Sequence, residues 1–213
     1  MQLPQQVKEF NFGSEKLQLC VPDETAVREK YEKEKNNGQA PAFPYWAKLW
    51  PASVALCNYL HSHSGLIKNK LVLELAAGLG LPSLLAARYA RQVICSDHAA
   101  DALEVVAVSA RLNQAYNIEC RLIDWHHYPA DLHADVILLS DVNYDPGQFQ
   151  ILNQLLVSLL QKGTIVVLST PQRIAGKAFI EKLLPYCKEK ITGHVETAGD
   201  SAEIFIMQLE ISN

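Results

Sequence analysis

The segment Leu71-Val-Leu-Glu-Leu-Ala-Ala-Gly-Leu-Gly-Leu81 joins a short apolar run to a loop that contains two glycines. The apolar run is typical of a buried strand, and the apolar residues from Leu81 to Ala90 have the spacing of a helix. Gln92 to Ser96 is apolar again. A strand, a helix and a second strand in this order predict a parallel βαβ unit.

The same alternation continues towards the C terminus. A helix is predicted over 99–113, strands over 118–123, 135–140 and 164–169, and extended segments over 187–196 and 203–210. Asp145-Pro146 predicts the start of a further helix, because aspartate caps helices and proline favours their first position. The pattern predicts an α/β fold, with a Rossmann-like, doubly wound, seven-stranded and mostly parallel sheet that has an antiparallel edge strand.

The N-terminal segment differs in composition from the rest. Residues 1–40 are polar and charged, and we expect them to form an extension of a single domain at 41–213. Apolar and polar residues alternate around Gly13-Ser14, which predicts a β-hairpin. Its apolar positions are Phe10, Phe12, Leu17, Leu19 and Val21. A charged helix is predicted to follow and to stop near Gly38.

Composition excludes several classes of function. The 213 residues are 49% hydrophobic, and 19 basic and 23 acidic residues intermingle to give a net charge of −4. No basic face is left for nucleic acid, so we expect none as the principal partner. Five scattered cysteines without a CxxC pair indicate reduced thiols, and no apolar run is long enough for a signal peptide or membrane span. A soluble, cytoplasmic, monomeric protein without a metal is expected.

The glycine loop predicts a ligand site. Ligands of such sheets lie at the carboxyl ends of the strands, where backbone N–H groups are free to bind them. Gly78 and Gly80 allow a tight turn and a close approach of the backbone, and Glu74 can orient the loop or accept hydrogen bonds from a ligand. A glycine pair after a strand is equally often a plain turn.

Two acidic positions extend this site. Asp97 ends the next strand 19 residues after Gly78 (97 − 78 = 19), the spacing at which a carboxylate meets ribose hydroxyls. It could instead cap the following helix, and a ribose contact alone also fits NAD. Asp124-Trp125 follows the third strand, where a carboxylate can accept from an adenine amino group and an indole can cover the ring. Trp125 as a core residue is the alternative.

Four motifs together resemble the seven-strand methyltransferases, and specifically methyltransferase family sixteen, which contains lysine methyltransferases of chaperones and elongation factors. They are Glu74-Leu-Ala-Ala-Gly-Leu-Gly-Leu-Pro82, Asp97, Asp124-Trp125 and Asp141-Val-Asn-Tyr-Asp-Pro146. Pro44-Tyr-Trp-Ala-Lys-Leu-Trp-Pro-Ala-Ser53 is similar to the tryptophan-proline motif of the family. The resemblance covers about residues 40 to 210.

The resemblance implies S-adenosylmethionine as the cofactor and a protein lysine as the methyl acceptor. It implies cofactor contacts from Trp50, Ala76, Ala77, Gly78, Asp97, Trp125 and Ser140. Asp141 and Tyr144 would face the acceptor as the candidate catalytic residues. The chain departs from the family pattern at Ala76, where glycine is usual, at Leu79, where threonine or serine is common, and at Asn143, where an apolar residue is more frequent.

Methyl transfer to an amine requires alignment of the two partners and exclusion of water, without a metal or an enzyme nucleophile. A lysine must first lose its proton from an amine with a pKa of about 10.4. Asp141 could hold the ammonium and accept this proton, and Tyr144 could align the nitrogen or be a loop aromatic that only packs. A small-amine acceptor, a non-catalytic binding module and an NAD-dependent oxidoreductase are the competing hypotheses.

Overall fold

The computed structural model describes residues 3–197 and 200–211 of the chain. The strands are β1 (Gln5–Phe12), β2 (Glu15–Pro22), β3 (Leu71–Glu74), β4 (Gln92–Asp97), β5 (Ile118–Leu122), β6 (Val136–Ser140), β7 (Ile165–Pro171), β8 (Cys187–Thr197) and β9 (Asp200–Leu209). The helices are α1 (Glu24–Asn36), α2 (Pro51–Ser62), α3 (Leu81–Ala86), α4 (Ala100–Leu112), α5 (Phe149–Gln161) and α6 (Lys177–Leu183).

The main sheet has seven strands in the order β5-β4-β3-β6-β7-β9-β8. The first five of these pair in parallel, and β9 runs antiparallel between β7 and β8. The predicted mostly parallel sheet with an antiparallel edge is therefore confirmed. The strand order reverses between β3 and β6, and crevices at such reversals are where ligands bind in open α/β sheets.

Helices cover both faces of the sheet, which explains why its central strands are continuous apolar runs. Successive residues of a strand point to opposite faces. Val136 and Ile137, neighbours in β6, accordingly belong to different hydrophobic clusters. One cluster includes residues of α2, α3 and the N-terminal hairpin, and the other includes residues of α5 and α6. The ligand edge is thus held by a core on each side.

Helix α2 was not predicted from the sequence. Eight of its twelve residues are buried and only a narrow face that includes Asn58 and Ser62 is exposed, so it lacks the broad polar face that identifies a surface helix. Pro51 occupies its first turn, where proline is well tolerated. Helix α3 is also shorter than predicted and ends at Ala86, because a turn over residues 87–89 leads the chain back to the edge of β4.

The predicted N-terminal hairpin is present as β1 and β2, which pair around Gly13-Ser14. The hairpin packs on α4, where the Cys20 amide donates to Ser109 Oγ at 2.9 Å. Asn113 Oδ1 accepts from the Gln18 amide at 2.9 Å. These contacts fix α4, whose start lies beside the ligand edge. Within residues 3–197 and 200–211, no helix has both the length and the apolar character of a membrane span.

Candidate active site

A cleft of about 620 Å³ opens at the carboxyl ends of β3, β4, β5 and β6. The segments that follow these strands form its floor, and residues 42–53, which lead into α2, form its outer wall. Predicted site residues that line it are Trp50, Ala76, Ala77, Gly78, Asp97, Asp124, Trp125, Ser140, Asp141 and Tyr144. Four separate strand ends therefore bring these residues together. Their individual ligand contacts stay predictions.

The glycine loop adopts a left-handed backbone that explains its sequence. Gly78 and Gly80 have φ angles of 54° and 71°, which L side chains rarely adopt. A Cβ at Gly78 would lie 3.1 Å from the carbonyl oxygen of Trp46, and one at Gly80 would lie 2.9 Å from Val106 Cγ2. Glycine is thus needed here both for conformation and for close packing against the outer wall and α4.

Ala76 also lies in the left-handed region, with a φ of 53°. This angle accounts for the glycine that the family usually has at the position, because a Cβ clashes with the backbone in this conformation. The departure at Ala76 therefore introduces local strain. Leu79, the second departure, is buried and packs in the hydrophobic core shared by α2 and α3.

Glu74 lies apart from the other predicted site residues. Its side chain is fully buried and does not line the cleft, and its Oε2 accepts from the Ser83 amide and hydroxyl at 2.8 and 2.6 Å. Burial raises the pKa of this carboxyl to about 8, although the Ser83 hydrogen bonds oppose the shift. The arrangement supports its predicted loop-orienting role. The other oxygen, Oε1, is buried and has no hydrogen-bond partner among the described residues, and the predicted contact with a ligand stays a prediction.

Asp97 joins the loop to the next strand. One carboxylate oxygen accepts from the Gly78 amide and the other from the Ala99 amide, both at 2.9 Å. Asp97 thus holds the turn before α4, while the N-cap position itself belongs to Ala99. A carboxylate oxygen has two acceptor sites, so Asp97 keeps capacity for ligand hydroxyls on the side that lines the cleft.

Asp124 and Trp125 form the next part of the wall. Burial disfavours ionisation of Asp124, but hydrogen bonds from the His126 amide and the His127 ring outweigh it and lower its pKa. The Trp125 indole donates to Gln148 Oε1 at 3.2 Å and packs partly against the core under α5. The ionised Asp124 carboxylate and the Trp125 indole thus lie side by side. The indole packs against the core and also lines the cleft.

Aromatic rings form the mouth of the cleft. The Trp50 indole donates to the Tyr45 carbonyl oxygen at 3.0 Å, and the Tyr45 and Tyr144 rings lie 5.1 Å apart between centroids. Burial, and secondarily the charge of Asp97, raises the pKa of Tyr144, so its phenol is neutral at physiological pH. Tyr144 is nevertheless 43% exposed, which places it where an incoming side chain would pass.

Asp141 is held by a residue that the sequence reasoning did not identify. The Arg173 guanidinium donates to both carboxylate oxygens of Asp141, which is only 7% exposed. Because both oxygens accept from Arg173, the carboxylate is not free to hold a substrate ammonium in this arrangement. The ion pair shapes the cleft, and the predicted role of Asp141 as proton acceptor stays a prediction. No motif in the sequence links Asp141 to Arg173, so their contact is seen only in the folded structure.

Asn143 is the third departure from the family pattern. Its side chain is buried, accepts a hydrogen bond from Thr170 Oγ1, and packs on Gly176, where an added Cβ would lie 2.5 Å from Nδ2. Asn143 therefore links the loops after β6 and β7 and does not reach the cleft. Over residues 3–197 and 200–211, no three His, Cys, Asp or Glu side chains are grouped as metal ligands would be.

Comparison with known proteins gives a family match. The model of a family described as "Lysine methyltransferase" matches residues 41–185. The human "Histone-arginine methyltransferase METTL23" is 34% identical over 64% of this chain and 75% of its own length. The mouse "EEF1A lysine methyltransferase 3" is 31% identical, over 65% of this chain and 62% of its own length. The chain spans about half, 49%, of the mouse METTL23 sequence.

Solved structures agree on the fold. The N-methyltransferase NodS from Bradyrhizobium japonicum WM9, determined in complex with S-adenosylhomocysteine, superposes with a TM-score of 0.60 at 15% identity. The match covers 86% of this chain and 98% of that one. The ribosomal protein L11 methylase from Lactobacillus delbrueckii subsp. bulgaricus gives a TM-score of 0.54 at 16% identity, over 75% and 77% of the two chains.

Proposed function

The chain belongs to the lysine methyltransferase family, and from this premise we propose that it transfers a methyl group to a side-chain nitrogen of a protein. The cofactor is S-adenosylmethionine. The observation that carries the proposal is the joining of the glycine loop, two carboxylates and an aromatic mouth in one cleft at the strand reversal. A protein that only binds a partner would not require a glycine loop, carboxylates and aromatic rings in one cleft.

The residues of the cleft fit this cofactor. The volume of about 620 Å³ lies within the range of roughly 300–1,000 Å³ that small-molecule sites have. Asp97 would hold the ribose hydroxyls, and Asp124 with Trp125 would hold the adenine. The loop over 76–78, with Trp50 and Ser140, would hold the methionine part. Glycine at position 78 lets the loop approach the Trp46 backbone at the wall of this space.

The cofactor supplies a methyl group on a positively charged sulfonium, which is reactive without a metal or an enzyme nucleophile. The protein must hold the acceptor nitrogen in line with that methyl group and exclude water. The Tyr144 phenol is neutral and can accept a hydrogen bond from the acceptor nitrogen, while its ring offers a π-face to the cation. Enclosure by Tyr45 and Trp50 lowers the pKa of an acceptor amine through desolvation.

The acceptor is proposed to be lysine. The description of the family model and the names of two relatives, the mouse EEF1A enzyme and the Xenopus tropicalis "Protein N-lysine methyltransferase METTL21A", support this choice. Arginine is the second candidate, because the human relative at 34% identity is named a histone-arginine methyltransferase. Both side chains are cationic, which suits a mouth that carries the exposed carboxylates of Asp124 and Asp145.

A labelling experiment tests the proposal. Purified protein is incubated with tritiated S-adenosylmethionine and a cell lysate, and labelled proteins are hydrolysed to amino acids. Label in methyllysine is the expected result, whereas label in methylarginine would select the second candidate. Label confined to small molecules would contradict the proposal, as would a chain that binds S-adenosylhomocysteine and labels nothing. A Gly78→Val variant, whose side chain would clash with the Trp46 backbone and displace the loop, is the control for contaminating enzymes.

A further inference from the structure

A second groove of about 320 Å³ adjoins the cleft. Helix α1 forms one side of it and the first turn of α4 the other. Four residues line both spaces: Ala42, Phe43, Trp46 and His98. The groove therefore continues from the mouth of the cleft, away from the cofactor loop, and no residue of the glycine loop lines it.

A row of aromatic rings runs along this path. The Tyr31 and Phe43 centroids are 5.5 Å apart, Phe43 and Tyr45 are 4.7 Å apart, and Tyr45 and Tyr144 are 5.1 Å apart. Phe43 is 57% exposed and Tyr45 46% exposed. Exposed aromatic rings in a continuous patch mark surfaces that bind a partner. The three steps together match the length of roughly four or five extended residues.

The charge along the path becomes acidic towards the mouth. In the groove, Lys30 forms ion pairs with both Asp101 and Glu34, and Lys35 lies over the Tyr31 ring, 5.9 Å from its centroid, so two carboxylates balance two cations there. At the mouth, Asp124 and Asp145 are exposed, and the Arg173 charge is neutralised by Asp141. Lys48 lies over the Trp50 ring at 4.9 Å and is the opposing cation at the mouth. The rings therefore lie in a field that favours a cationic partner.

We infer that this aromatic path is the docking surface for a basic, extended segment of the acceptor protein, next to the residue that is methylated. The inference rests on the proposed function and names the substrate class of the same site. The acceptor side chain passes Tyr144 into the cleft, and flanking residues lie over Tyr45 and Phe43 towards Tyr31. Cationic side chains gain cation–π contacts with Phe43 and Tyr45 and attraction from the exposed carboxylates of Asp124 and Asp145 at the mouth.

Peptide binding in the presence of S-adenosylhomocysteine tests the inference. Two fluorescent peptide pools carry a central lysine, one with Arg and Leu at the flanking positions and one with Glu and Leu. Fluorescence anisotropy is expected to show at least about tenfold tighter binding of the basic pool. Phe43→Ala is expected to weaken that binding by about tenfold, and Phe43→Leu, which keeps the apolar volume, by less. Tyr116→Ala, an 85% exposed tyrosine outside both spaces, is the matched control with no change.

Equal affinity for the two pools, no binding of either pool, or an unchanged affinity of Phe43→Ala would overturn the inference. The affinity of each variant for S-adenosylhomocysteine, measured by calorimetry, shows that the fold and cofactor site are intact. Failure of the proposed function gives a different pattern: the basic pool binds through Phe43, yet the wild-type chain labels no protein. If wild type and Phe43→Ala methylate a protein with the same kcat/KM, the docking surface is refuted and the proposed function stands.

Discussion

Arg173 donates to both carboxylate oxygens of Asp141 across a separation of 32 residues, joining the loops after β7 and β6 at the floor of the cleft. Asp141 has a left-handed φ of 56° and little exposure, so this ion pair fixes a backbone conformation that is otherwise unfavourable. It also occupies the carboxylate that the sequence predicts to face the acceptor. The pair therefore helps to define the shape of the site.

Removal of Arg173 should destabilise the protein. In Arg173→Met the buried Asp141 carboxylate loses its partner, and we expect a loss of about 2 kcal/mol in the free energy of unfolding. This value is below that of a fully buried pair because the Arg173 side chain is 34% exposed. Urea unfolding monitored by circular dichroism measures it.

The double variant Arg173→Met/Asp141→Asn is the control for that experiment. Asparagine carries no charge and tolerates a left-handed backbone, so it should recover about 1 kcal/mol or more of the loss. A double variant as unstable as the sum of the two single variants would show that the ion pair makes no contribution of its own.

Ala76→Gly should stabilise the protein. The φ of 53° strains an alanine, whereas glycine adopts it freely at some cost in unfolded-state entropy, so we expect a gain of about 0.5 to 1 kcal/mol. Gly78→Ala is the matched opposite change, because its Cβ would meet the Trp46 carbonyl oxygen, and it should lose about 1 to 2 kcal/mol. Thermal unfolding of both variants measures the effects, and a destabilised Ala76→Gly would refute the strain at this position.

Stability should fall as the pH rises, because of Glu74. Its pKa in the folded chain is about 8, against an ordinary value of 4.5, so the folded chain binds more protons than the unfolded chain between these values. The contribution of Glu74 to stability is fully present below about pH 4.5 and is lost as the pH rises to about 8. Glutamine does not titrate, so the free energy of unfolding of Glu74→Gln relative to wild type should rise by roughly a few kcal/mol between pH 5 and pH 8.

Urea unfolding at several pH values across this range checks the Glu74 prediction. The difference between variant and wild type isolates Glu74 from the other titrating groups. A difference that stays constant with pH would mean that the carboxyl is already ionised in the folded chain, with Ser83 as a sufficient hydrogen-bond donor.

Trp125 should contribute to cofactor affinity. Trp125→Leu removes the indole face and its hydrogen bond to Gln148, and we expect about tenfold weaker binding of S-adenosylhomocysteine. Tyr128→Leu is the control, because Tyr128 packs on the same core without lining the cleft. Calorimetry on both variants checks the prediction. Equal affinities would identify Trp125 as a core residue, the alternative that its partial burial leaves open.

The sequence predicts the parts of this molecule that depend on local patterns. The strand at 71–74, the glycine loop, Asp97 and Asp124-Trp125 all carry their signal in neighbouring residues, and the fold places them at one edge because parallel strands end together. The sequence leaves two roles open for Glu74, because a carboxylate at a strand end can orient the loop or bind a ligand. Its bond to Ser83, nine residues later, supports the first role and could not be read from the sequence.

The parts that were missed depend on contacts between distant segments. Helix α2 exposes only a narrow face that includes Asn58 and Ser62, so the helical period of its apolar residues is weak. Arg173 carries no motif, and only the pairing of β6 with β7 brings it to Asp141. The groove beside Phe43 likewise requires α1 and α4 to lie next to each other, which no spacing in the sequence encodes.

Calorimetric titration of the wild-type chain with S-adenosylhomocysteine tests most directly whether the cleft is a methyl-donor site. The account predicts saturable binding at one site per chain, weakened in Trp125→Leu and unchanged in Tyr128→Leu. A folded chain that gives no binding heat, and whose melting temperature rises with NADH instead, would contradict it.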